Sequence, residues 1–148
     1  MRQICTSMEV YGDPAFVWKV ATDYRNFGWR NDLASIRVTK QDSIYLITET
    51  MTNGISVNFT VTLWCPNEAY QQTMKSQMVN RSWGIQLKPA TAGKTVVTVC
   101  EKYYFKYKWM QIASYFYLPV KAGQKQYLKQ LSKYLKILQD TKNFQICD

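Results

Sequence analysis

The apolar positions of this chain change their period twice. Arg2 to Val10 reads as a strand, and Gly12-Asp13-Pro14 ends it. The same tripeptide suits a helix start, because the Asp13 carboxylate can cap free amides and proline's fixed φ fits the first helical position. Phe16, Val17, Val20 and Ala21 then fall at helical spacing. The stretch Asp23-Tyr24-Arg25-Asn26-Phe27-Gly28-Trp29 breaks or restarts this short helix, with turns at Gly28 and Asn31-Asp32.

From Ser35 the period becomes two. Ser35 to Thr39 and Ser43 to Thr50 alternate, and Asn53-Gly54 signals a tight hairpin. Asn58 to Trp64 carries Phe59, Val61 and Leu63 on one face. Further strands are expected at Ala69 to Lys75, Val79 to Leu87 and Thr95 to Phe105, with turns at Cys65-Pro66-Asn67-Glu68 and through Pro89 and Gly93. From Val120 the pattern returns to a helical stripe of Leu128, Leu131, Leu135 and Leu138, with Tyr127 and Tyr134 beside it. Pro119 stands either in the first turn of that helix or at a kink in a longer one starting near Trp109.

The order is therefore strand, two short helices, about six antiparallel strands and one long amphipathic helix. This is an α+β arrangement in which a curved antiparallel sheet wraps around the C-terminal helix. With no repeat or linker, residues 1–148 read as a single domain. A sheet curled around one helix leaves room for a ligand cavity between them.

Composition narrows the chemistry. Histidine is absent, which removes Ser-His-Asp and Cys-His catalysis and histidine-containing zinc sites. Cys5, Cys65, Cys100 and Cys147 form no CxxC pair and read as reduced, packed thiols. No metal or cofactor site is expected. The N-terminal residues lack the apolar core of a signal peptide and no long apolar span occurs, so a cytoplasmic location is expected.

The chain resembles the START-like (SRPBCC) superfamily over nearly its whole length. The resemblance rests on Asp13-Pro14-Ala15-Phe16-Val17-Trp18 opening the first helix and on the Asp23 to Trp29 stretch. It continues through Leu87-Lys88-Pro89 and Gly93-Lys94-Thr95-Val96-Val97-Thr98-Val99 to the leucine-rich last helix. The small polyketide cyclase/dehydrase-like and lipid-transport-like members are the most similar. The resemblance implies the helix-grip fold and an internal cavity for a hydrophobic or amphipathic molecule. It implies no single reaction, because the same fold serves binders, carriers and enzymes.

The residues supply candidates for such a cavity. Pairing Leu87 with Val97 puts Trp83 opposite Glu101 and Arg81 one diagonal away, so two charges share the apolar face with Tyr103. Either they line the cavity and orient a polar group, or they form a structural ion pair. Phe59 and Val61 on the preceding strand and Tyr127 and Leu131 on the helix complete the expected walls. Trp29 borders the mouth or packs, and Tyr115, in the aromatic run Tyr103 to Tyr117, belongs either to a packed strand end and helix lead-in or to a cavity lid or wall. Glu49 reads as a rim carboxylate, and Asp23 as a turn residue.

Charge adds one possible partner. The chain has 19 Lys+Arg against 10 Asp+Glu, a net charge of +9. Lys121, Lys125, Lys129 and Lys133 form a row without acidic partners, which reads as a solvated face or as a transient contact with an anionic membrane. No recognition helix or Gly-rich loop accompanies the lysines, so no nucleic acid is expected. The leading expectation is binding of a hydrophobic or amphipathic small molecule, lipid-like or polyketide-like. The alternatives are a cyclase or dehydrase working through Glu101 or Glu49 with a tyrosine, and a protein-interaction module of the same fold.

Overall fold

A computed structural model describes residues 1–144 of the chain, with side chains through 141. Strand β1 (Arg2–Tyr11) leads into helix α1 (Pro14–Ala21), whose start is built as its sequence requires. The amide of Phe16 donates to Asp13 Oδ1 at 2.8 Å, and Pro14 occupies the first turn. Six strands follow: β2 (Leu33–Gln41), β3 (Ile44–Met51), β4 (Ser56–Cys65), β5 (Ala69–Lys75), β6 (Val79–Pro89) and β7 (Lys94–Phe105). Helices α2 (Lys108–Tyr117) and α3 (Val120–Phe144) end the described chain.

The strands make one antiparallel sheet in the order β1-β7-β6-β5-β4-β3-β2. The meander from β2 to β7 puts sequence neighbours side by side, and β1 then closes on β7 across the length of the chain. The β6–β7 register is the expected one, with Leu87 opposite Val97 and Trp83 opposite Glu101. Gly84 is required where β6 crosses β5, because a Cβ there would stand 2.7 Å from the Tyr70 carbonyl oxygen. Gly54, at φ +88, turns the β3–β4 hairpin.

The core lies between α1, α3 and one half of the sheet. Val10, Val97, Val99, Ile85 and Leu87 rise from β1, β7 and β6 to meet Val17, Leu128, Leu131 and Leu135. α3 packs along β1, and α1 along β6 and β7. Gln124 ties α3 to β1 by donating to the Ile4 carbonyl at 2.9 Å and accepting from Thr6 at 2.7 Å. Among the described residues, no helix packs along β2, β3 or β4 in this way.

Two expectations need correction. Only one short helix follows β1; residues 22–32 form turns, because Asp23 holds the Arg25 amide (3.1 Å) and the Asn26 side chain (2.9 Å) in a local turn instead of letting a helix restart. The second short helix is α2. Leu118, extended before Pro119, separates it from α3 and so settles the place of the proline break. The second correction concerns the cysteines. Cys5 and Cys100 are bonded, because the β1–β7 register sets them directly opposite with Cα atoms 4.2 Å apart. Their separation of 95 residues hides this in the sequence. Cys65 is a free, half-buried thiol, and Cys147 lies outside the described residues.

Candidate functional site

Where β3 to β7 curve beneath the first half of α3, a cavity of about 160 Å³ remains. Its floor is Phe59, Gln72, Trp83 and Met51, and its roof is Gly123, Gln126, Tyr127 and Gln130. Two arginines, each held in ion pairs, stand in its walls. On one side Arg81 bonds Glu101 through both Nε and Nη2, each 3.0 Å from Oε2. The Tyr103 hydroxyl donates to the same oxygen at 2.6 Å. None of these donors uses Oε1. On the other side Arg30 reaches Glu49 at 3.0 Å and Asp32 at 2.9 Å.

Both glutamates are almost fully buried, so each charge depends on its partner. Burial works against the Arg30 charge, but Glu49 and Asp32 outweigh it and hold the guanidinium protonated. The Tyr127 phenol is pushed up to about 12, by burial first, with Arg30 opposing. Tyr103 also rises, by burial first and through its bond to Glu101, against the pull of Arg81. Both phenols are therefore proton donors at neutral pH. The Tyr127 hydroxyl is fully buried beside the Tyr70 hydroxyl, whose hydrogen bonding also opposes the rise.

Beside this polar cavity lies an apolar hollow of about 390 Å³, lined by Tyr24, Val38, Tyr45, Ile47, Val61 and Trp64. Ile47 and Glu49 alternate along the same face of β3, so one strand serves both spaces. Tyr24 stands between them. Its ring lines the hollow, and its phenol is raised by burial first, then by Tyr127 and Glu49. The arrangement offers a charged, hydrogen-bonding end and an apolar end within one side of the fold.

The residues singled out from sequence fall into three groups. Phe59, Arg81, Trp83, Glu101 and Tyr127 line the polar cavity, with Tyr103 behind Glu101. Val61 lines the apolar hollow. Trp29 packs against Tyr127 and Tyr134, Leu131 is in the core, and Tyr115 stands exposed on α2 with the Arg2 guanidinium over its ring. Glu49 is not a rim group: Arg30 reaches it across 19 residues and allows it to be buried. Arg30, Asp32, Gln72, Gln126 and Gln130 escaped the sequence reading. Gln130 lies on the polar side of the α3 stripe, and Arg30 sits in turns that carry no period. Among the described residues, no three acidic or thiol side chains gather as they would around a metal ion. No described helix is long and apolar enough to cross a membrane.

No family model matches the chain, and no curated protein matches it. Solved structures do. The protein XoxI from Bacillus cereus superposes with a TM-score of 0.70 at 18% identity, covering 94% of this chain and 99% of that one. Norcoclaurine synthase from Thalictrum flavum, a point mutant in complex with a transition-state analogue, gives 0.73 at 12% identity over 93% and 96%. The di-domain aromatase/cyclase StfQ of the steffimycin biosynthetic pathway gives 0.70 at 10% identity, over 93% of this chain and 51% of that one. At these identities the likeness establishes the helix-grip fold.

Proposed function

We propose that this chain is a START-like binding domain for an amphipathic small molecule. Its polar end would lie between the two ion pairs and its apolar part in the neighbouring hollow. One observation carries this reading: the charged side chains Arg30, Glu49, Arg81 and Glu101 share a cavity wall with Phe59, Trp83 and Met51. A purely structural pair of salt bridges needs no adjoining space, whereas a binding site is mostly apolar with a few convergent polar groups. About 150 Å³ suffices for one benzene-sized ring, so the polar cavity alone takes a small molecule. Glu101 Oε1, which neither Arg81 nor Tyr103 uses, is the group left to bind the ligand. The same fold holds small aromatic molecules in norcoclaurine synthase, which is described in complex with dopamine and hydroxybenzaldehyde.

The test is native mass spectrometry of the purified protein, with extraction of what it carries, followed by thermal shift against fatty acids, aryl carboxylates and arylamines. Gly123→Phe is the matching variant. Gly123 lines the cavity and is exposed, and a Cβ there meets no atom within 4 Å, so a larger side chain has room at the cavity's edge. Retention or stabilisation in the parent chain, lost in Gly123→Phe, supports the reading. Binding that is unchanged by the plug overturns it.

One contact favours a second reading, a cyclase or dehydrase. The Tyr103 hydroxyl to Glu101 bond, at 2.6 Å, pairs a held phenolic proton with a carboxylate beside the cavity. A bell-shaped rate profile abolished by Glu101→Gln supports that enzyme; turnover unaffected by Glu101→Gln and Glu49→Gln rejects it.

A further inference from the structure

Helix α2 is amphipathic the wrong way round for a helix facing water. Its inward side carries Ser114, the one buried residue of the helix, and Gln111. Arg2 donates to the Ser114 carbonyl at 2.7 Å and to its hydroxyl at 3.2 Å, and the Met1 amino group donates to Gln111 at 2.9 Å. Polar bonds therefore anchor the helix to the start of β1. The outward side presents Trp109, Ile112 and Phe116 at spacings of three and four, exposed by 67%, 63% and 81%. Tyr115 and Tyr117 flank them, at 60% and 83% exposed. Met110 and Ala113 are half-buried beside Gln111, while the large apolar side chains are left outside.

We propose that α2 is a membrane-docking helix that beds Trp109, Ile112 and Phe116 into the interface of an anionic lipid bilayer. An apolar stripe rich in tryptophan, tyrosine and phenylalanine, bordered by lysines, has the composition of an interfacial helix. The charge around it identifies the occupant. No acidic residue occurs between Glu101 and Asp140, while Lys102, Lys106, Lys108, Lys121 and Lys125 lie in that interval with three more lysines. A negatively charged surface that meets α2 attracts Lys106 and Lys108, which stand at the start of the helix, and the attraction falls off within a Debye length. A second copy of the chain fits poorly, because a two-fold contact through α2 would set the same lysines against one another. The inference does not depend on the cavity and stands if the cavity reading fails.

The test is flotation of the full chain with vesicles of phosphatidylcholine alone and of phosphatidylcholine mixed with phosphatidylserine. Binding to the mixed vesicles, weakened by salt, is expected. Trp109→Ser/Phe116→Ser should lose at least about tenfold in partitioning, since two large side chains leave the bilayer. Lys106→Gln/Lys108→Gln should lose at least about tenfold as well. These side chains are exposed, and unchanged thermal unfolding of the variants will show that the fold is intact. In a separate readout, Trp109→Phe should bind normally but lose most of the blue shift of tryptophan fluorescence. Equal binding to both vesicle types, or binding unchanged in Trp109→Ser/Phe116→Ser, overturns the proposal. So does a dimer in solution that the same double variant dissolves, which would make α2 a self-association surface.

Discussion

The two halves of the sheet are made for different purposes. In the β1-β7-β6 half a block of inward side chains is sealed against the helices: Val97 and Val99 of the sheet and Leu128, Leu131 and Leu135 of α3 are completely buried. In the β2-β3-β4 half, among the described residues, no helix packs as closely, and the inward face is shared between a charged cavity and an apolar hollow. Val38 and Tyr45 there stay 41% and 49% exposed. The packed half provides the stability that lets the open half keep polar groups and empty space. The ion pairs stand at the boundary: Arg81–Glu101 on the packed strands, Arg30–Glu49 on the open ones.

The comparison can be broken in order of effect. The disulfide Cys5–Cys100 closes a loop of 95 residues inside the packed half. Cys5→Ser/Cys100→Ser should lower the unfolding free energy by up to about 4 kcal/mol, read by urea denaturation. Leu131→Ala should cost about 3 kcal/mol, since a fully buried leucine leaves a cavity, whereas Val61→Ala, lining the open hollow, should cost under about 1 kcal/mol. Equal losses would show that the halves are packed alike. Arg81→Ala should cost about 2 kcal/mol, because it strands the buried Glu101 carboxylate, and Arg81→Ala/Glu101→Gln should recover part of that loss in a double-mutant cycle.

The smallest effect is alkaline. Tyr24, Tyr70, Tyr103 and Tyr127 all have raised phenols, burial being the first cause in each. In the unfolded chain they ionise near 10, so above that pH the unfolded state loses protons before the folded one. Their contribution is complete below pH 10 and is lost as pH rises toward the folded values, about 12 for Tyr127. Tyrosinate absorbance should show these phenols resisting titration until the protein unfolds. Their titration near pH 10 in the folded protein would mean that water reaches this part of the interior freely.

The packed half was the more legible in sequence. Period-two patterning and two turn signals sufficed to align Leu87 with Val97 and so to bring Arg81, Trp83 and Glu101 together. The leucine stripe of α3 and the Asp13-Pro14 cap are local signals of the same kind. What escaped was non-local or non-periodic. Arg30 comes from turns, and it reaches Glu49 and Tyr127 only because the chain folds back. Cys5 and Cys100 meet because the last strand pairs with the first. The aromatic run ending at Tyr117 suggested a cavity wall; its helix turns Trp109 and Phe116 outward because the polar Ser114 and Gln111 are bonded to the start of β1.

The most direct test of the account is an NMR titration of side-chain methyl and aromatic resonances with the ligand recovered from the protein or, failing that, with fatty acids, aryl carboxylates and arylamines. The account expects saturable shifts at Ile47, Met51, Phe59 and Tyr127, around the cavity and hollow, with Val97, Val99 and Leu135 unmoved. Shifts centred on the packed half, or none that saturate with any of these compounds, would contradict it.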